Sequence, residues 1–182
     1  MKTLIVYCSS HGTTTKAALL LKKKLEGDVV VLNLNRAKLQ SDVDLFDAVI
    51  IGGSIHAGHI QGKIKKFMKE NRDVLMKKKI GLFLCCMREG ELAKEQFENA
   101  YPLDLREIAV ATGFFGGEFL VSKMNFFEKQ IVKRVSKVTT DTSRINERAI
   151  GEFAYLFNSK QSLAAALTVA HSPYRVTEEL RF

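Results

Sequence analysis

Ser9, Ser10, Thr13, Thr14 and Thr15 crowd five hydroxyls around Gly12, and His11 adds an imidazole. The run separates an apolar segment (residues 3–8) from one with leucines at helical spacing (residues 16–26). A helix N-terminus presents unpaired N–H groups and a partial positive charge, so hydroxyls and a glycine placed there make a seat for an anion. Glycine lets the backbone approach the guest closely. No Lys-Ser/Thr pair stands at P-loop spacing, which disfavours a triphosphate with magnesium, and no G-x-G-x-x-G is present, which disfavours a dinucleotide. A single phosphate monoester suits the loop better. The same composition also serves an ordinary N-cap with spare hydroxyls.

A second chemically dense segment is residues 52–63, GGSIHAGHIQGK, with four glycines and two histidines in twelve residues. Such a stretch can lay backbone amides along a flat heterocycle. It can equally be a turn and helix entry with histidines at the surface. His56 and His59 are the candidates for proton transfer, because imidazole titrates near neutral pH. The three cysteines, Cys8, Cys85 and Cys86, are an odd number without metal-type spacing. They read as buried thiols at strand ends, since a free cysteine packs as a small hydrophobe, and no metal is expected.

These segments need elements to hold them. Short β-branched, apolar runs at residues 3–8, 28–34, 46–51, 80–85 and 107–112 read as strands covered on both faces. Helical spacing at residues 16–26, 63–75, 92–100, 123–138 and 143–158 alternates with them. Gly27 reads as the first helix's stop. The alternation predicts an α/β fold: a doubly wound, five-stranded parallel sheet of order 2-1-3-4-5 with helices on both faces. In such sheets ligands sit at the carboxyl ends of the strands, beside strand one. Gly-rich and small polar residues follow strands one, three and five. That placement tips the loop of residues 9–14 towards phosphate.

The pattern Ser9-x-His11-Gly12-Thr13-Thr14 resembles the flavodoxin phosphate motif Thr/Ser-x-Thr/Ser-Gly-x-Thr, with His11 where the family has a hydroxyl. The resemblance implies a flavodoxin-like fold and one FMN, its phosphate held by Ser9, Ser10, His11, Gly12, Thr13 and Thr14. Gly52-x-Ser54-Ile55-x-x-Gly58-His59, running into a Lys-rich helix with Phe67, is similar to the flavodoxin-domain menaquinone-dependent protoporphyrinogen oxidases. Phe115-Gly116-Gly117, a long insertion rich in Phe and Lys, and Thr140-Asp141-Thr142-Ser143-Arg144 follow in that subfamily's order.

By this resemblance, which spans residues 1–158, Ser54, Ile55, His56, Ala57 and Gly58 would meet one side of the flavin ring. Cys86, Met87 and Arg88 would meet the other, and residues 114–117, with Phe115, Gly116 and Gly117, would complete the rim. Met87 equally reads as a gap-filler of the core. The ring loops lack Trp and Tyr, which points to an open flavin within reach of a large flat substrate. The implied activity is an FMN-dependent oxidoreductase of haem (porphyrin) biosynthesis that oxidises protoporphyrinogen IX and passes electrons to a quinone. An electron-transfer flavodoxin without its own substrate and an FMN-dependent quinone reductase are the alternatives.

The chain has 182 residues, 46% hydrophobic and 26% charged, with a net charge of +8. This fits a single FMN-binding domain over residues 1–158, with a basic helical insertion at about 118–142 and a tail at 159–182 to which no function is assigned. The excess of positive charge suits anionic partners. Tandem basic-aromatic motifs are missing, so nucleic acid is not expected. In residues 123–138, Met124, Phe127, Ile131, Val135 and Val138 share one helical stripe, while Lys129, Lys133 and Lys137 share another face. That pattern suits an interfacial helix on anionic lipid or a helix packed on its own domain with solvated lysines. Lys123, Lys129 and Lys133 would also attract substrate carboxylates. No run reaches the roughly 18 apolar residues of a membrane span, and the N-terminal run reads as a strand rather than a signal sequence. The expected location is cytoplasmic, with peripheral contact at the inner face of the cell membrane.

Overall fold

The computed structural model describes residues 1–39, 42–56, 58–119 and 142–160, with the backbone alone at His56, Phe119 and Thr142. Five strands form one parallel sheet: β1 (Lys2–Tyr7), β2 (Asp28–Asn33), β3 (Ala48–His56), β5 (Lys79–Cys85) and β6 (Ala109–Phe114). Their order is β2-β1-β3-β5-β6, the doubly wound order expected from the sequence. A two-residue strand, β4 (His59–Ile60), folds back antiparallel on the end of β3. β7 (Gly116–Phe119) and β8 (Thr142–Ile145) make a separate antiparallel pair.

Alternation along the strands divides the core in two. Leu4, Val6, Val49, Ile51, Leu82 and Leu84 face one side of the sheet, in one cluster with Ile64, Phe67, Leu75, Ala93, Phe97 and Leu105. Those partners belong to α2 (Gly62–Glu70), α3 (Arg72–Leu75), α4 (Gly90–Ala100) and α5 (Leu103–Ile108). Ile5, Tyr7, Ile50 and Phe83 face the other side. They meet Ala17, Ala18 and Leu21 of α1 (Thr13–Lys22) and Ile150, Phe153 and Phe157 of α6 (Glu147–Ser159). Burial on both faces explains why β1 and β5 read as unbroken apolar runs. Tyr101, buried beyond α4, donates its hydroxyl to the carbonyls of Phe83 and Ile51, so its polar end is satisfied inside the core.

Several boundaries differ from the sequence expectation, each for a local reason. The first helix runs from Thr13 to Lys22, not 16–26. Lys24 and Leu25 turn back onto the carbonyls of Leu21 and Lys22, and Leu25 packs against the core. The helix expected over 63–75 breaks at Asn71, whose side chain takes the carbonyl of Phe67 at 2.8 Å. Residues 103–108 form α5, so the fifth parallel strand lies at Ala109–Phe114 and contains Gly113. The stretch expected as helix from 143 begins as β8, and α6 starts only after Asn146, whose side chain accepts from the Ala149 N–H.

Gly52 and Gly53, expected to end the third strand, lie inside it. A methyl at Gly52 would overlap the Phe83 ring, and one at Gly53 would meet Ile60. These glycines make room for core side chains.

Candidate functional site

The registers place the segments of interest side by side. Tyr7 pairs with Gly52, and Ser54 pairs with Cys85, so the chain leaves β1, β3 and β5 at one edge of the sheet. The loop after β1 enters α1 through Gly12, which has φ 101°, a left-handed conformation that favours glycine. Gly12 is the N-cap residue, and no side chain caps the helix. The first turn carries no acidic residue. With glycine at the N-cap, capping by these hydroxyls is confined to Ser9, which takes the Gly12 N–H.

Thr14 is 1% exposed, and its hydroxyl faces the Cys85 thiol as a weak hydrogen-bond partner, with no nitrogen or oxygen partner among the described residues. A thiol is a weak partner, so this hydroxyl keeps the capacity to bond a stronger acceptor. Space is open beside Gly12, where a Cβ would meet nothing within 4 Å. Helix-start amides, a hydroxyl held only by a thiol and open space together fit a phosphate monoester.

Ser9 is buried and anchors the loop. Its hydroxyl accepts from the Gly12 N–H at 3.1 Å. Asn33, at the end of β2, brackets its backbone: the Ser9 N–H donates to Asn33 Oδ1 at 3.4 Å, and Asn33 Nδ2 donates to the Ser9 carbonyl at 3.3 Å. Ser10 is exposed, and His11 and Thr13 are half-buried. Asn33 was not among the sequence candidates. Its one signal is a polar residue closing the apolar run DVVVLN.

Residues 54–56 and 58–60 form a hairpin rather than a slack loop. Ile55 pairs with Ile60 and His56 with His59, and Gly58 turns the chain at φ 83°. Ser54 and Ile55 are half-buried, and His59 is exposed. Ala57 lies outside the described residues, as do Lys123, Lys129, Lys133, Lys137 and the tail beyond 160.

After β5, Cys86 is buried with its thiol on the Arg88 carbonyl, Met87 is half-buried and Arg88 is exposed. Gly117 packs against Met87 and the Cys86 backbone so closely that a Cβ would lie 2.9 Å from Met87 Sδ. Phe115 departs from the expected rim. It is fully buried, stacks on Phe83 at 4.6 Å and meets Phe153 edge-on at 5.4 Å. Its N–H and carbonyl are both engaged, with Leu84 and Asn146. It holds the hairpin root to the core and has no surface for a ligand. Gly116 has φ 71° because the Arg144 carbonyl occupies the place of a side chain.

Burial pushes the thiols of Cys8, Cys85 and Cys86 up, Cys85 to about 12. All three are protonated at neutral pH and packed as structural residues. A cavity of about 540 Å³ lined by Lys65, Arg72, Tyr101 and Arg106 lies between α2–α3 and α4–α5 and includes none of the candidate residues. Among the described residues, no helix is long and apolar enough to cross a membrane.

A parallel sheet of order 2-1-3-4-5 with a Gly-led helix after its first strand is the doubly wound, flavodoxin-like α/β architecture. The flavodoxin-domain model matches residues 4–146, and the chain belongs to that family. It is similar to an archaeal flavodoxin, with a TM-score of 0.50 and 20% identity over 86% of this chain and 99% of that one. Flavodoxin 1 of Bacillus cereus gives 0.55 and 14% over 89% and 100%. A short-chain flavodoxin associated with a non-canonical PDU bacterial microcompartment gives 0.53 and 13% over 86% and 96%. No curated protein matches the chain.

Proposed function

We propose that the chain binds one FMN, with the phosphate on residues 9–14 and the ring between the hairpin of residues 54–60 and residues 86–88. The observation that carries this reading is the Thr14 hydroxyl, partnered only by the Cys85 thiol, beside a helix start whose N-cap is glycine. The amides of the first turn and the hydroxyls of Ser9, Ser10 and Thr14 would hold the phosphate. Asn33 would keep Ser9 in place, and backbone amides of the hairpin would lie along the ring. When bound, the flavin supplies reversible acceptance of two electrons, which no side chain of the site can offer.

The finer reading is a dehydrogenase of protoporphyrinogen IX that delivers electrons to a quinone. It rests on the Ser54-Ile55-x-x-Gly58-His59 pattern and on ring loops without Trp or Tyr. His59, exposed on β4, and His56, its backbone partner on β3, would be the candidates for proton transfer. Similarity of fold to three flavodoxins favours a second reading, an electron carrier without its own substrate.

Anaerobic mixing with protoporphyrinogen, followed by a menaquinone analogue, separates the two. Bleaching of the flavin by the porphyrinogen and its recovery with the quinone support the dehydrogenase. No bleaching, together with rapid exchange with a ferredoxin-type protein, supports the carrier. Meeting a membrane quinone through Lys129, Lys133 and Lys137 belongs to the first reading. Co-sedimentation with anionic liposomes that survives neutralisation of the three lysines would contradict it.

A further inference from the structure

Glu118, on β7, reaches back onto α1. Its side chain is 7% exposed, and its carboxylate takes Lys16 Nζ at 3.2 Å and the hydroxyl of Ser143 on β8. Burial pushes this carboxyl up, but the hydrogen bonds from Ser143 and Lys16, the Lys16 charge and the Thr13 hydroxyl hold it below the usual carboxylate range. Thr13 is the first residue of α1, and Lys16 lies one turn further on. An ionised carboxylate thus occupies the flank of the turn whose amides face the phosphate seat. It takes up the hydroxyl of one loop residue and the charge of the lysine next in line.

We propose that Glu118 is a built-in counter-anion of the phosphate loop, one that weakens the loop's hold on phosphate esters by engaging Thr13 and Lys16 itself. The proposal rests on the reading of residues 9–14 as a phosphate seat. Two anions sharing one helix start repel each other, and the cation that would offset the repulsion is already paired. Glu118 thereby sets how much of the cofactor's affinity comes from its phosphate and how much from its ring. A tie that merely fastens the β7–β8 pair to α1 would have different consequences, because breaking it from either end would loosen the same structure.

The test is a fluorescence titration of the apoprotein with FMN and with riboflavin, which lacks the phosphate, at low ionic strength. E118Q is expected to tighten FMN about fivefold and leave riboflavin unchanged. K16Q is expected to weaken FMN by a similar factor, again sparing riboflavin. The gap between E118Q and wild type is expected to close at high salt. A flavin-free readout is the rise in melting temperature that inorganic phosphate gives the apoprotein, larger in E118Q than in wild type.

The proposal is overturned if wild type takes up FMN and E118Q binds it no more tightly, or if both variants weaken both flavins alike. Should E118Q fail to fold, K16Q decides: weaker FMN with unchanged riboflavin supports the proposal, and unchanged FMN overturns it. Wild type that binds neither FMN nor phosphate overturns the phosphate-seat reading, and the proposal with it.

Discussion

Gln61 grips Ser54 with both ends of its amide: the Ser54 N–H donates to Gln61 Oε1 at 3.1 Å, and Gln61 Nε2 donates to Ser54 Oγ at 2.6 Å. The pair closes the base of the β3–β4 hairpin at the point where β3 outruns β1. The pair ties Ser54, at the end of β3, to the residue that follows β4, as the proposed ring-binding segment requires.

Replacing Gln61 with Ala removes both bonds and leaves the Ser54 N–H without this acceptor. The expected cost is about 1–2 kcal/mol of stability by urea unfolding. Riboflavin affinity should fall as well, while stabilisation by inorganic phosphate is retained. Equal loss of both would mean that the hairpin and the phosphate loop are not separable parts.

Thr14→Val tests the buried hydroxyl. Valine has nearly the same shape and removes a buried polar group whose one partner is the weak Cys85 thiol, so the apoprotein should be about as stable as wild type. FMN affinity should fall about tenfold, the worth of one hydrogen bond to a charged group. A destabilised apoprotein with unchanged FMN binding would place the hydroxyl in the core rather than in the site.

Two glycines of the same segment should respond differently to alanine. At Gly52 the methyl meets the Phe83 ring in the packed core, with a cost of about 1–3 kcal/mol. At Gly58 the space is open, but φ is 83°, so the cost is backbone strain alone, about 1 kcal/mol. Matching losses in denaturant melts would contradict the packing described for Gly52.

The thiols give a pH signature. The ordinary thiol value is 9.0, and burial pushes Cys85 up to about 12. Cys8 and Cys86 are also raised by burial, as is the Tyr101 hydroxyl. Below pH 9 both folded and unfolded chains keep these protons. Above it the unfolded chain releases thiol protons that the native state holds, so stability falls, by about 1.4 kcal/mol per pH unit for Cys85, and Tyr101 adds to the loss above its ordinary value of 10.0. The melting temperature should therefore drop steadily from pH 9 towards 12. Ellman's reagent at pH 8 should find no rapidly reacting thiol in the native protein and three after unfolding.

The parallel sheet and its order were legible because β1, β3 and β5 are buried on both faces and carry unbroken apolar runs. The loop proposed as the phosphate seat stands out because Ser, Thr and Gly cluster directly after one of those runs. Less visible was anything set by partners distant in sequence. Gly52 looks like a loop residue until Phe83 is seen beside it. Phe115 looks like a rim residue until Phe83 and Phe153 close around it. Asn33, Gln61 and Glu118 act through residues 24, 7 and 102 positions away, and no local pattern announces such pairings.

The most direct test of the account is the uptake of FMN by purified apoprotein, with riboflavin as the phosphate-free control. One equivalent of FMN should bind with quenching of its fluorescence, riboflavin should bind more weakly, and Thr14→Val should narrow the difference. Failure to take up FMN, or equal affinity for FMN and riboflavin, would contradict the assignment of residues 9–14 as the phosphate seat.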